Sequence, residues 1–342
     1  LGLDLASCTN LKTVTAPILS GTGGTISFYG NTTLTAFSLP ELTTFYNGVD
    51  TRGELACGNC DALSNVSLNL VYECKRIDFS NCTSLAEVSF NNLTYVTETF
   101  DLLNTGVLRI LNCPTLYSTG DFNMSNSGLT GVDLPGLYST SNLNMDGMAS
   151  LVNVTLGGLY STSNWTLNGS SVVDVAAASY TQMGGSFFDW SNTSSLLAID
   201  LPTFGSCSGY LNISNSGALS ISMPNLNEVL ATGFDCYQCT ATTSLAIGAL
   251  INTSYINAQQ CSSLTDVDIG LDPNCALFNF AFCALNQISI DNILCDIDNS
   301  GAPTNDNGFV DFSGGSSASP SGTGSTCADD LSALHGWTIT IN

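Results

Sequence analysis

Gly128-Leu-Thr-Gly-Val-Asp-Leu-Pro-Gly-Leu-Tyr-Ser-Thr-Ser-Asn-Leu-Asn-Met-Asp-Gly-Met-Ala149 is followed at once by Ser150-Leu-Val-Asn-Val-Thr-Leu-Gly-Gly-Leu-Tyr-Ser-Thr-Ser-Asn-Trp-Thr-Leu-Asn-Gly-Ser-Ser171. The two segments are each 22 residues long and match almost position for position. Their common core, L-x-x-V-x-L, recurs along the chain. Twelve copies begin at Leu11, Leu34, Leu63, Leu85, Leu108, Leu129, Leu151, Val172, Leu196, Ala218, Thr242 and Leu264. Successive steps are 23, 29, 22, 23, 21, 22, 21, 24, 22, 24 and 22 residues, so only the second is long. Self-similarity at a fixed period of this size marks a stacked-repeat architecture.

Within each copy apolar residues alternate with polar ones, as in Val132-Asp-Leu134 and Ile199-Asp-Leu201, which is the period-two pattern of a strand. Pro17, Pro40, Pro114, Pro135, Pro202 and Pro224 lie six residues after their anchors, where a missing N–H ends strand pairing. About fourteen residues after the anchor a second alternation follows, for example Phe122-Asn-Met124, Leu143-Asn-Met145, Trp165-Thr-Leu167 and Phe278-Asn-Phe280. No copy has room for the helix a βα unit needs. The expected fold is therefore mainly β: a parallel β-solenoid of about twelve coils with Leu, Val, Ile, Phe and Trp inside, over residues 1–284. Cys60, Cys82, Asn104 and Asn126, each 22 residues apart, read as one column near the turn before a new anchor, and Cys239, Cys261 and Cys283 as another.

The L-x-x-V-x-L-P-x-L…L-N-I-x-N pattern, with Cys or Asn shortly before the next Leu as in Cys82-Thr-Ser-Leu85 and Cys261-Ser-Ser-Leu264, resembles the leucine-rich repeats of receptor-L-domain-like and BspA-like surface proteins. The resemblance covers Leu11 to about Phe282. Residues 285–342 resemble the closing module of leucine-rich-repeat proteins from bacterial surfaces and of phage tail-fibre or other virion proteins. These resemblances imply extracellular or virion exposure and no catalysis. From the residues themselves, Ser289 is the expected N-cap of an amphipathic helix carrying Ile290, Ile293 and Leu294 and stopping near Gly301. Phe309–Phe312 is the expected strand, Ala328–His335 a second helix with Asp329 and Asp330 in its first turn, Gly336 its C-terminal stop and Trp337–Ile341 a last strand. Residues 285–342 thus read as a small α/β cap on the open solenoid end.

Composition narrows the function. The 342 residues hold 28 Asp and Glu against 5 Lys and Arg, a formal net charge of -23, with 44% hydrophobic residues. So few cations cannot neutralise a run of phosphates, which excludes nucleic acid as a partner. The mean hydropathy of +0.23 excludes a disordered chain, and no apolar run reaches the length of a bilayer helix. The start at Leu1, without Met or an obvious polar cap, reads as a processed, incomplete or docked end. The long step inserts about seven residues around Arg52–Cys57, an expected protruding loop.

Several motifs have two readings. Cys57-Gly-Asn-Cys60 and Cys236-Tyr-Gln-Cys239 have half a zinc-ribbon spacing but lie about eight coils apart, so buried thiols are favoured over disulfides and those over metal. Asp296-Ile-Asp-Asn-Ser-Gly301 opens like a calcium loop, yet Asn307 stands at its twelfth position and Pro303 interrupts it, so a helix end is favoured. N-x-S/T sequons occur at Asn31, Asn65, Asn81, Asn92, Asn123, Asn153, Asn164, Asn168, Asn192, Asn212 and Asn252. In a chain this rich in Asn, Ser and Thr, structural asparagines are the favoured reading. Asp121, Asp133, Asp146, Asp189 and Asp200 recur once per coil, as a solvated face does, and His335 sits at a helix end. A carbohydrate-active solenoid enzyme therefore ranks below two non-enzymatic readings: an adhesin or structural projection, and a purely architectural component. No catalytic residue, cofactor or metal is assigned. The candidate binding face is Tyr117, Tyr138 and Tyr160. The expected partners are a host-cell glycan or protein receptor or neighbouring virion or surface proteins, with self-association open and with neither nucleic acid nor membrane insertion.

Overall fold

The architecture is taken from a computed structural model, which describes residues 2–22, 24–45, 53–230, 233–248, 250, 253–270, 275–299 and 308–342. The chain is mainly β, a parallel β-solenoid of about twelve coils. It divides into two compact units, Leu1–Ala177 and Ala178–Asn342.

In the first unit each coil contributes a short strand of three residues and a second strand that grows from two or three residues in the first coils to six or seven from Glu73 on, the longer set. The longer strands Leu3–Asp4, Ile26–Ser27, Glu54–Ala56, Glu73–Asp78, Tyr95–Asp101, Ser118–Asn123, Ser139–Asn144 and Ser161–Thr166 pair in that order, all parallel. The short strands form ladders of their own: Thr13–Thr15 with Ala36–Ser38; Asn65–Ser67, Glu87–Ser89 and Ile110–Asn112; Gly131–Asp133, Asn153–Thr155 and Asp174–Ala176. The strands Gly131–Asp133, Asn153–Thr155 and Asp174–Ala176 bury their central residues, Val132, Val154 and Val175, and expose both neighbours. From the other side come Phe100, Phe122, Leu143 and Trp165, all buried, with the Phe100 and Phe122 rings stacked at 4.8 Å. Pro135 stands second in a β-turn closed by Leu137 N–H donating to Leu134 O at 3.1 Å, where its fixed φ fits and no N–H is needed.

The turn that ends each longer strand needs one residue in the left-handed region. Asn59, Asn81, Asn104 and Asn126 take it, with φ between 54° and 59°, because a short amide side chain tolerates that backbone best after glycine. Their side chains bond one another: Asn81 donates to Asn59 at 3.2 Å, Asn104 to Asn81 at 2.9 Å and Asn126 to Asn104 at 3.1 Å. This corrects the column read from spacing alone. Cys60 and Cys82 do not share a column with Asn104 and Asn126; they stand one residue later, beside Thr105 and Ser127. The spacing misleads because the step from Asn81 to Asn104 is 23 residues rather than 22. The true Cys column caps carbonyls from the inside: Cys82 Sγ donates to Cys57 O at 3.0 Å, and Thr105 Oγ1 to Leu102 O at 2.7 Å.

The second unit uses the same grammar. Phe187–Asp189, Tyr210–Asn212, Phe234–Asp235, Tyr255–Asn257 and Leu277–Asn279 form one parallel ladder, which Phe309–Asp311 and Thr338–Thr340 continue. Ala198–Asp200, Ser220–Met223, Ser244–Ile247 and Asp266–Ile269 form another. Cys239, Cys261 and Cys283 cap Ile213 O, Cys236 O and Ala258 O at 3.0 to 3.1 Å.

Helix α1 spans Gln287–Asn299 and helix α2 Gly322–His335. The cap of α1 is Asn286, whose Oδ1 accepts the Ser289 N–H at 2.8 Å. Ser289 instead lies inside the first turn, buried, where its Oγ accepts the Val267 N–H at 3.0 Å. Helix α2 starts six residues before Ala328, so Asp329 and Asp330 lie in its interior rather than its first turn; Gly336 ends it at φ 67°. Cys295 of α1 and Cys327 of α2 form a disulfide that the sequence reading missed. The expected protruding loop around Arg52–Cys57 is not found from Gly53 on: Glu54–Ala56 is a strand paired on both sides, with Leu55 and Cys57 buried, while Arg52 and the 300–307 part of the calcium-like segment lie outside the described residues.

Cys57, Cys60, Cys236 and Cys239 are all buried free thiols. Burial pushes Cys74, Cys113 and Cys207 up to about 12. Of the twelve free cysteines only Cys8 is exposed. At pH 8 a thiol reagent is expected to titrate one thiol in the native protein and twelve in denaturant; rapid native reaction of several thiols would contradict the burial. Phe122→Ala, which empties the place of a fully buried ring, is expected to cost about 3 to 5 kcal/mol, read as a lower Tm or denaturation midpoint.

Candidate functional site: a tyrosine-bordered polar sheet

Tyr117, Tyr138 and Tyr160 each follow a buried leucine, Leu116, Leu137 and Leu159, at the corner where the chain enters a longer strand. Their backbones are rungs of one ladder. Tyr138 N–H donates to Tyr117 O at 2.8 Å and Tyr160 N–H to Tyr138 O at 2.8 Å. The side chains are therefore delivered in register, and the rings stack: Tyr117 on Tyr138 at 5.2 Å and 1°, Tyr138 on Tyr160 at 5.2 Å and 3°. Exposures of 43%, 39% and 37% leave the outer edge of each ring in solvent although the faces are used in the stack.

Two further tyrosines extend the row and were not picked out from sequence. Tyr72 accepts from Thr94 N–H at 2.9 Å, and Thr94 O in turn accepts from Tyr117 N–H at 2.9 Å, so Tyr72 and Thr94 belong to the same column. Thr94 breaks the aromatic row. Tyr95, one residue on, fills the gap by placing its ring edge-on to Tyr117 at 6.0 Å and 71°. The strand Tyr95–Asp101 carries one residue more than its neighbour Ser118–Asn123, and the register shifts between Thr119 and Asp121 to absorb it. Tyr95 lies before that shift and pairs with Ser118, so an alignment of repeats sets it in the serine column, one position beyond the tyrosines.

Beside the tyrosines run polar columns. Ser118 and Ser139 hydroxyls meet at 3.2 Å, and Ser161 pairs with Ser139 in register. Asn142 donates to Asp121, and Asn164 donates to Asn142. In the last column Asp78, Asp101, Asn123 and Asn144 each accept the backbone N–H two residues ahead, at 2.9 to 3.2 Å, closing an Asx-type turn. The five cations are scarce, and two of them sit at the Glu73–Asp78 strand already paired: Lys75 with Glu54 and Glu98 at 3.3 Å, Arg76 with Asp78 at 3.4 Å. The face is thus a flat field of hydroxyls and amides with a phenol border and little unpaired positive charge.

The repeated aspartates do not converge. Asp133 and Asp200 lie exposed on short strands, Asp189 accepts the Ser191 N–H at 3.0 Å, Asp146 the Asn168 N–H at 2.8 Å, and Asp121 the Asn142 amide. Among the described residues no group of three or more His, Cys, Asp and Glu is arranged to hold a metal ion. His335 ends α2, half-buried. Tyr210, in the second unit, donates to Asp235 Oδ2 at 2.7 Å, and burial together with that bond pushes its phenol well above the ordinary range.

No family model matches the sequence. Among curated proteins, Protein ecm33 of Aspergillus fumigatus is 28% identical over 155 residues, 39% of this chain and 37% of that protein. The chain thus spans little more than a third of that relative's length. Among solved structures, a leucine-rich repeat protein from Bacteroides ovatus is similar at 14% identity and a TM-score of 0.29, covering 66% of this chain and 80% of that one. So loose a superposition carries no weight beside the strand ladders described above.

Asp101 offers a test of the face's electrostatics. Burial, with a smaller contribution from the Asp78 charge, holds its carboxyl above the usual 3.8, against the pull of the Leu103 N–H. A carboxyl raised in the fold favours folding below its unfolded value, and that contribution is lost as pH rises through the folded one. At pH 7 the ionised group therefore opposes folding. Asp101→Asn keeps the acceptor for Leu103 and copies Asn123 and Asn144. It is expected to raise Tm at pH 7, with the gain shrinking below about pH 4; a lower Tm at pH 7 would contradict the burial account.

Proposed function

We propose that the chain is a non-enzymatic, extracellular surface protein whose tyrosine-bordered sheet contacts a glycan or protein on an opposing cell, virion or neighbouring surface. The single observation that carries this reading is the exposed, in-register stack of Tyr117, Tyr138 and Tyr160 beside columns of serine, asparagine and aspartate. Stacked phenols are rigid, lose little entropy on binding and combine an apolar edge with a hydroxyl, the combination that recognises polar partners. The Cys295–Cys327 disulfide supports an oxidising, extracytoplasmic setting. The partial likeness to a fungal protein supports a cellular source over a virion, and the dispersed aspartates favour binding over hydrolysis. Residues 285–342 act in this reading as the module that closes the solenoid core. The architectural alternative keeps the same fold and leaves the tyrosine row without a ligand.

The test uses the soluble chain on intact cells and on a glycan array, each with Tyr138→Ala and, as a control from the short strands, Asp133→Ala. Loss of a central ring is expected to weaken binding about tenfold or more while Asp133→Ala leaves it unchanged. Absence of binding to either surface, or binding indifferent to Tyr138→Ala, favours the architectural role.

A further inference from the structure

The unit Leu1–Ala177 contains eight N-x-S/T sequons, and the fold sorts them by side. Asn31 is wholly buried, its amide donating to Leu5 O at 2.8 Å and its oxygen accepting from Cys8 N–H. Asn81 belongs to the left-handed turn column, donating to Asn59 and accepting from Asn104. Asn123 and Asn164 lie on the longer-strand sheet, their amides donating to Asp101 at 3.2 Å and to Asn142. Asn168 is half-buried at the turn after Ser161–Thr166.

Asn65, Asn92 and Asn153 differ. All three are exposed, and all three lie on the short-strand side: Asn65 and Asn153 two residues after their leucine anchors, Asn92 in the turn after Glu87–Ser89. Among the described residues no side-chain hydrogen bond ties Asn92 or Asn153, and Asn65 makes only a 3.4 Å contact with Ser64. The rung beside Asn153 is Gly131, where an added Cβ would meet only Asn153 O at 3.8 Å, so the space next to this asparagine is open.

We propose that Asn65, Asn92 and Asn153 are N-glycosylation sites and that glycans cover the short-strand side, leaving the tyrosine sheet bare. The donor is a lipid-linked oligosaccharide diphosphate. The Asn Nδ2 bonds to the anomeric carbon, the lipid diphosphate leaves with the bonding pair, and one amide proton passes to the transferase's base, leaving a secondary amide with a single N–H. Transfer occurs on the extended chain, so the fold acts as a filter. A glycan at Asn31 or Asn123 would stand where the next coil must stack, whereas one at Asn65, Asn92 or Asn153 points into solvent.

The inference rests on the extracellular reading above, and its test separates the two. The full chain, secreted from cultured eukaryotic cells, is deglycosylated by peptide N-glycosidase in heavy-oxygen water and mapped by mass spectrometry without reduction. Heavy-oxygen aspartate is expected at positions 65, 92 and 153 and unaltered asparagine at 31, 81, 123, 164 and 168, together with the linked Cys295–Cys327 peptide. The linked peptide with no label at the three positions, or label at Asn123 or Asn164, overturns the glycosylation assignment alone. Absence of both overturns the extracellular reading with it. The N65Q/N92Q/N153Q variant is expected to lose the glycosidase-sensitive mass of this unit while keeping its Tm; retention of that mass also overturns the assignment.

Discussion

Everything in this molecule depends on the parallel, in-register backbone ladder between successive coils. Each strand's N–H groups donate to carbonyls of an adjacent coil, for example Tyr138 N to Tyr117 O and Met145 N to Thr166 O at 2.9 Å. A parallel pair in register places equivalent residues directly over one another at the strand spacing of about 4.8 Å. A residue type that suits one coil is thus repeated beside itself, and whatever interaction like groups make with like groups becomes a continuous column.

That constraint explains which side chains stand where. Phenylalanine and tyrosine rings stack on themselves, asparagine amides donate to asparagine oxygens, and buried thiols or hydroxyls cap carbonyls. Like-charged carboxylates cannot gain in this way, which is why Asp101 feels Asp78 and why the acidic column of the first unit passes into Asn123 and Asn144. Among the described residues the aspartates and glutamates behind the net charge of -23 are spread along the coils rather than gathered into one site. The tyrosine border is the outward version of the same rule. The rings are presented in order because the backbone beneath them is ordered, so no pocket is needed to position them.

Much of this was legible in the sequence. The L-x-x-V-x-L anchors and the period-two alternation identified both strands of a coil, and Tyr117, Tyr138 and Tyr160 stood out because they follow the same leucine in three coils. What escaped depended on single residues of chain length or on partners distant in sequence. One extra residue between Asn81 and Asn104 placed Cys60 and Cys82 in the wrong column, and Tyr95 was passed over because it stands in the serine column, opposite Ser118, rather than in the tyrosine column. Ser289 looked like a helix cap, but Asn286 takes that place because Ser289 is drawn inward to serve the Val267 N–H. The Cys295–Cys327 bond joins two helices 32 residues apart in the chain, and the start of α2 in Gly322-Thr-Gly-Ser is a poor helix former that packing against α1 overrides.

The most direct measurement is residue-resolved amide hydrogen exchange on the intact native chain. If the tyrosine row rides on a continuous ladder, the amides of Tyr117, Tyr138 and Tyr160 exchange slowly, alongside those of the strands Ser118–Asn123, Ser139–Asn144 and Ser161–Thr166, although the phenol side chains themselves are open to solvent. Fast exchange at these three tyrosine amides, at the rate of an unstructured segment, would contradict the ladder and with it the ordered binding face.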